Sequence, residues 1–201
     1  MTPQPISSEI FETTLGWIAI AATERGIVRS SLPEPTPDTA LEAISDIKNG
    51  SPGGSNDVLH EAKQLLTRYC NGEFVSLDTI PIDDSAWTPY TQHARAACRT
   101  IPRGETRTYA WLAEKASGNP KSARAAGRAM ATNPIPIIIP CHRVIGSNGN
   151  LNGFGGTIGL PLKARLLQME GATLSRHSGE SRNPEMPGGD VPSPLRGRGL
   201  G

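Results

Sequence analysis

The sequence predicts an α+β fold, a small mixed α/β unit followed by a mainly helical one. Three observations carry this. Closely spaced β-rich runs occur near the N-terminus, helix start and stop signals dominate from residue 87 onward, and the charge balance reverses between the two parts. Residues 1–85 hold 5 Lys/Arg against 13 Asp/Glu, a balance of −8, while residues 86–171 hold 11 against 3, a balance of +8. The overall net charge of +1 conceals that asymmetry. At 201 residues there is enough chain for one or two domains with a sizeable core.

The first unit is assigned to residues 1–85. Residues 17–22 and 26–30 are β-rich runs separated by Thr23-Glu24-Arg25, which predicts a hairpin. Thr36-Pro37-Asp38 opens a helix, with Thr36 as N-cap and Pro37 at the first helical position. Residues 49–55, rich in Gly, Ser and Pro, read as a loop. A second helix carries Leu59, Ala62, Leu65, Leu66 and Tyr69 at helical spacing and stops at Asn71-Gly72. Residues 73–80 read as a further strand.

The second unit is assigned to residues 86–171. Thr88-Pro89 starts a helix that runs to about Thr100, and Pro102 ends it. A short helix over 109–116, the turn Gly118-Asn119-Pro120 and a helix over about 121–132 form a helix-turn-helix pattern. The second of these helices places Ala123, Ala126, Gly127 and Met130 on an apolar face. Lys121, Arg124 and Arg128 recur on another face beside the small Ser122 and Ala125, which would allow close approach to a phosphate backbone. From residue 172 the chain turns rich in Gly, Pro, Ser and Arg, and residues 172–201 are expected to be a disordered tail.

Composition narrows the function. No apolar stretch is long enough to span a bilayer, and the N-terminus lacks the pattern of a secretory leader. Cys70, Cys98 and Cys141 are odd in number and widely spaced, which fits neither a disulfide framework nor a zinc site. A reduced, cytoplasmic setting without a bound metal is expected. A basic unit joined to an acidic one favours a nucleic-acid partner over a small cationic substrate.

The sharpest lead is Ile137-Ile138-Ile139-Pro140-Cys141-His142-Arg143, where an apolar run ends in a thiol beside an imidazole and a guanidinium. Cationic neighbours favour thiolate, and apolar surroundings oppose it. Taken alone, a cysteine after three isoleucines is more often a small core residue than a nucleophile.

The neighbouring motifs change that balance. Residues 101–105 (Ile-Pro-Arg-Gly-Glu) with Tyr109, Gly118-Asn119-Pro120-Lys121 with Arg124-Ala125-Ala126-Gly127, Asn133-Pro134, Pro140-Cys141-His142-Arg143-Val144-Ile145-Gly146, and Lys163 to Glu170-Gly171 occur in order. Over residues 87–171 this set strongly resembles the O6-alkylguanine-DNA alkyltransferases, the methylated-DNA–protein-cysteine methyltransferases; the N-terminal unit resembles them more loosely. The resemblance implies a ribonuclease-H-like N-terminal domain and an active-site cysteine in the helix-turn-helix domain. It also implies DNA repair without a cofactor or metal, by irreversible transfer of an alkyl group from O6-alkylguanine to Cys141, with O4-alkylthymine a second candidate substrate. The partner would be double-stranded DNA carrying the alkylated guanine, and the protein a monomer with no membrane association.

By the same resemblance His142 deprotonates Cys141 through a water, Glu170 orients His142, and Tyr109 donates to the leaving guanine. Asn133 braces the turn that carries the cysteine. Arg124 fills the gap left by an extruded base, with Lys121 and Arg128 as phosphate contacts. Carbonyls near Cys141 and Val144 would read the guanine edge. Two departures stand out in the pocket loop: Phe154 replaces a common tyrosine, and Gly155 replaces a serine that often donates to O6. Ring stacking by Phe154 survives, and the O6 contact would come from backbone N–H. The stretch between Gly156 and Lys163 is longer than the family pattern by about two residues.

Overall fold

The computed structural model describes residues 5–47, 50–52, 57–155 and 159–172. The expected tail, apart from Ala172, and the residues at the start of the lengthened stretch (156–158) lie outside the described residues.

The N-terminal sheet grows from the predicted hairpin. Strands β2 (Gly16–Thr23) and β3 (Gly26–Ser30) pair antiparallel, with a register shift at Ala21/Ala22. An additional strand, β1 (Ile6–Thr13), pairs antiparallel with β2, and β4 (Gly50–Pro52) pairs parallel with β1 at the edge. The order is β3-β2-β1-β4. The stretch read as a loop thus contains a three-residue strand, and Pro52 is tolerated there because edge strands leave one side unpaired.

β2 is buried on both faces, and its alternation divides the core. Ala19 and Ala21 face Ala40 and Ile44 of the first helical segment, where α1 (Pro37–Glu42) is capped by Thr36 as predicted. Ile18, Ile20 and Ala22 face the opposite way, against Leu59, Ala62, Leu66 and Tyr69 of α2 (Asp57–Cys70). That second cluster continues without a break through Ala94, Cys98, Leu112, Ala126, the Ile135–Ile139 run and Leu166. Fully burying each large apolar side chain contributes about 1.5–3 kcal/mol, so the two halves stabilise each other through one core.

Residues 73–80 form no strand. Their carbonyls are taken up by Arg99, whose Nη2 donates to Leu77 O (3.1 Å), Asp78 O (2.9 Å) and Ile80 O (3.0 Å). With a guanidinium satisfying the backbone, no neighbouring strand is required. Beyond it, Ile82 forms a parallel bridge with Ile27, and Ile27 N donates to Pro81 O.

The helical half follows the predicted boundaries closely. α3 (Pro89–Arg99) is capped by Thr88, and α4 (Tyr109–Ser117) ends at Gly118 with φ +70°. A 3-10 turn (Pro120–Ser122) leads into α5 (Ala123–Ala131), so the predicted second helix begins with a tighter turn. Two short parallel strands, β5 (Arg107–Thr108) and β6 (Val144–Ile145), join the start of α4 to the segment after Cys141. The last helix is α6 (Leu160–Met169). Among the described residues no helix is long and apolar enough to cross a membrane.

Buried Arg95 fixes the end of α5. Its guanidinium stacks on Trp87 (4.3 Å to the ring centroid) and its Nη2 donates to Thr132 O at 2.6 Å, capping the carbonyl next to Asn133. Arg95→Met should therefore destabilise the fold by roughly 1.5–3 kcal/mol, as read by urea unfolding. An unchanged midpoint would mean the cap contributes nothing.

Candidate active site

Cys141 is reached through a strained, tightly braced loop. Asn133 accepts from Ile135 N at Oδ1 (3.1 Å) and donates from Nδ2 to Ile139 O (3.0 Å), while Ile139 N donates to Ile135 O (2.9 Å). Inside this brace Ile137 adopts φ +72°, and it is the one non-glycine with positive φ among the described residues. For a β-branched side chain that conformation costs on the order of 1–3 kcal/mol. It persists because Ile135, Ile137, Ile138 and Ile139 are all buried, and because Ser30 N at the end of β3 holds Pro134 O at 2.9 Å.

The chain then makes a 3-10 turn over Cys141–Arg143, not a strand. Cys141 lines a cavity of about 560 Å³ together with Tyr109, Asn133, Phe154 and Gly155, and Ser31 and Glu34 contribute from the N-terminal unit. Val144, expected at the base pocket, is fully buried and does not line this cavity; its carbonyl instead accepts from Lys163 Nζ at 2.7 Å. Tyr109 packs its ring beside the bare Cα of Gly127, where an added Cβ would lie 3.8 Å from the ring.

On the other side of the turn, His142 and Arg143 converge on buried Glu170. His142 Nε2 lies 3.0 Å from Glu170 Oε1. Arg143 donates from Nε to Oε2 (2.9 Å) and from Nη2 to Oε1 (2.8 Å), and its Nη1 donates to Ile101 O (2.6 Å). Tyr69 of α2 adds its hydroxyl to Oε1 at 2.6 Å. Burial alone would raise the Glu170 pKa, but the hydrogen bonds and charges of His142 and Arg143 hold it well below the usual carboxylate range. Glu170 is therefore an acceptor only, so the hydrogen between it and His142 sits on Nε2. In neutral His142 the other nitrogen, Nδ1, must be an acceptor. It is buried and has no hydrogen-bond partner among the described residues. Burial pushes the His142 pKa down, against the pull of Glu170, which favours that neutral form.

The electrostatics around the thiol differ from the sequence expectation. Arg143 turns its charge onto Glu170 and not toward Cys141. Burial pushes the Cys141 thiol up, and what opposes it is a side-chain hydrogen bond from Asn133 and the positive charge of Lys163. Lys163 is fully buried, donates to Val144 O and to Asn152 O (3.2 Å), and sits 5.9 Å from the Phe154 ring centroid. Burial lowers its pKa to about 8, and the nearby thiols act to raise it.

Lys121, Arg124 and Arg128 are all exposed on α4–α5 and its turn, and none has an ion-pair partner among the described residues. Arg124 borders an open groove of about 620 Å³ with Tyr109, Gly127, Ser147, Asn148 and Asn152. Two residues of the site had no role in the sequence reading: Lys163 and Tyr69. A signal for Lys163 exists, since it shares the apolar face of α6 with Leu166, Leu167 and Glu170 at i+3, i+4 and i+7. Tyr69 reads only as one more apolar position of α2.

Lys163→Met should raise the pH midpoint for iodoacetamide labelling of Cys141 and slow labelling at neutral pH about tenfold, as one pKa unit corresponds to that factor. Peptide mass spectrometry would follow the labelling. An unmoved midpoint would remove Lys163 as the thiolate's cation.

With this geometry in view, similarity to known proteins is informative. The family described as 6-O-methylguanine DNA methyltransferase, DNA binding domain, matches residues 89–172. A methylated-DNA–protein-cysteine methyltransferase of Methanosarcina acetivorans is 37% identical over 168 residues, covering 81% of this chain and 97% of that protein. The constitutive enzyme of that name from Bacillus subtilis is 38% identical, covering 79% of this chain and 92% of the relative. Among solved structures, Mycobacterium tuberculosis OGT in complex with DNA superposes with a TM-score of 0.68 at 32% identity, covering 82% of this chain and 92% of that one. The chain belongs to the methylated-DNA–protein-cysteine methyltransferase family.

Proposed function

We propose that this protein repairs DNA by transferring the alkyl group of O6-alkylguanine, or of O4-alkylthymine, directly and irreversibly to Cys141. The observation that carries the reading is a thiol at the wall of a cavity, with a neutral imidazole fixed behind it by a buried carboxylate. The target base is extruded into the cavity, because its reacting atom is inaccessible within a stacked duplex. The Cys141 proton passes through a water to His142 Nδ1, and the thiolate attacks the alkyl carbon. A sulfur–carbon bond forms, the carbon–O6 bond breaks, and its electron pair leaves on the guanine, which then takes up a proton.

Tyr109 supplies a donor to that developing negative charge. Burial first, and then the charge of Cys141, raises its pKa, so its hydroxyl keeps its proton. Phe154 stacks on the base, Gly155 offers backbone N–H in place of a side-chain donor, and Asn133 holds the turn in register. Product thioether has no route back to thiolate, so each molecule acts once.

The DNA surface is α4 and α5, acting as a helix-turn-helix across the left-handed Gly118 turn. Arg124 fills the gap in the stack, and Lys121 and Arg128 contact phosphates. The sheet order β3-β2-β1-β4, with β4 parallel to β1, supports a ribonuclease-H-like reading of the N-terminal domain at 1–85, which serves the transfer domain at 86–171. The protein acts as a monomer in the cytoplasm on double-stranded DNA, without cofactor or metal.

Mass spectrometry after incubation with a duplex containing O6-methylguanine should show one methyl group on Cys141 and no turnover. Restored guanine beside unmodified protein would reject the mechanism. Cys141→Ser should abolish transfer and retain duplex binding. Arg124→Ala should slow repair in duplex more than attack on free O6-methylguanine; equal losses would remove the intercalation role.

A further inference from the structure

We propose that Tyr69, contributed by the N-terminal domain, is a positioning residue for alkyl transfer: its hydroxyl fixes the Glu170–His142 pair and sets the pH at which His142 becomes charged. The inference rests on His142 serving as the base for Cys141, as argued above. Tyr69 lies 101 residues before Glu170 in the chain, yet makes the shortest of the contacts to that carboxylate. Three donors meet on Oε1: Tyr69 at 2.6 Å, Arg143 Nη2 at 2.8 Å and His142 Nε2 at 3.0 Å. A carboxylate oxygen shared among three donors is a weaker acceptor toward each. It therefore stabilises an imidazolium at His142 less than an unshared one would.

The surroundings of the pair are consistent with that role. Lys163 of α6 and Arg143 of the Cys141 turn both disfavour a proton on His142, and Glu170 alone favours it. Cys141 of the same turn and Cys98 of α3, which feels the charges of Arg143 and Lys163, are both raised in pKa by burial. Tyr69 itself stays protonated, because burial and the charge of Glu170 raise its pKa well above the ordinary value, so it donates throughout the working range.

Its alignment is built in by Arg103, the remaining charged group facing Tyr69. The Arg103 guanidinium stacks on the Tyr69 ring (5.5 Å to the centroid). It donates to Glu73 O (2.8 Å) and Gly72 O (3.2 Å) just past α2, and to Met169 O (3.1 Å) at the end of α6. One side chain thus ties together the two helix ends that carry Tyr69 and Glu170. The adjacent Gly104, at φ +82°, lets the backbone pass Glu170 O, which an added Cβ would approach to 3.0 Å. Core packing accounts for the aromatic ring of Tyr69; it does not account for the hydroxyl.

Tyr69→Phe keeps the ring and removes the donor. Single-turnover transfer rates would be measured across pH, together with the His142 titration by NMR on isotope-labelled histidine, assigned by its loss in His142→Gln. Both the His142 midpoint and the acid limb of the rate profile should move up by roughly half to one pH unit, within the net contribution of a single ordinary hydrogen bond. Fluorotyrosine at position 69, a stronger donor of nearly the same shape, should move both down, and this tests the role even if the phenylalanine variant fails to fold. A uniform loss of rate with an unmoved His142 midpoint in either variant would overturn the proposal. A shifted midpoint with an unshifted rate profile would support Tyr69 as the positioning group and reject His142 as the base.

Discussion

The buried carboxylate of Glu170 is the constraint on which the rest of the site depends. Removing such a charge from water costs several kcal/mol, and only good geometry with full hydrogen bonding offsets it. Here the offset comes from two parts of the chain: α2 through Tyr69, and the Cys141 turn through His142 and Arg143, whose guanidinium is itself held by the carbonyl of Ile101. Each contact that stabilises the carboxylate also restrains the residue beside the thiol. Glu170 and His142 both lose their contribution on acidification, but in different pH windows. Glu170 is depressed, so its contribution is complete above the ordinary glutamate range and is lost only as pH falls through its lowered value. His142 is also lowered, so below about 6.5 the unfolded chain takes up the proton first and stability declines. Loss of stability on the acid side therefore begins with His142.

The other half of the site is organised by strain and not by charge. Ile137 is held in a conformation that isoleucine avoids, clamped by Asn133 within the loop and by Ser30 from the sheet. Asn133 also opposes the rise that burial causes in the Cys141 pKa, so one side chain closes the loop and tunes the group the loop presents. Burial pulls the other way, and Lys163 supplies the compensating charge from beneath. Cys141 is thus a thiol whose pKa burial raises on balance, with Asn133, Lys163 and the backbone N–H groups of Cys141 and His142 offsetting only part of the rise.

Legibility from sequence followed the range of the interactions. The caps at Thr36 and Thr88, the stop at Gly118 and the hairpin at Thr23–Gly26 are local signals, and they located their elements well. β1 was missed because only Ile6, Ile10 and Phe11 interrupt a polar stretch, and its pairing with β2 depends on the partner strand. The strand expected at 73–80 failed because Arg99, a residue of another helix, satisfies its carbonyls. Sequence adjacency was similarly misleading at Arg143, which neighbours Cys141 in the chain but spends its charge on Glu170. Cys141 and His142 were visible through their motif. Tyr69 and the burial of Lys163 arise only when distant segments meet.

For a protein of this family the arrangement joins two requirements of a single-use nucleophile. On the proposed reading the thiol must be reactive toward one bound alkyl group and quiet toward everything else: burial raises its pKa and keeps it quiet, and His142, proposed as the base, takes its proton when the substrate is bound. The proposed transfer depends on the protonation state of His142. Nitrogen NMR of the His142 ring in the unreacted protein tests it most directly, near neutral pH. A neutral ring with its hydrogen on Nε2 and a bare Nδ1 is the result expected; a hydrogen on Nδ1, or a fully protonated imidazolium, would contradict it.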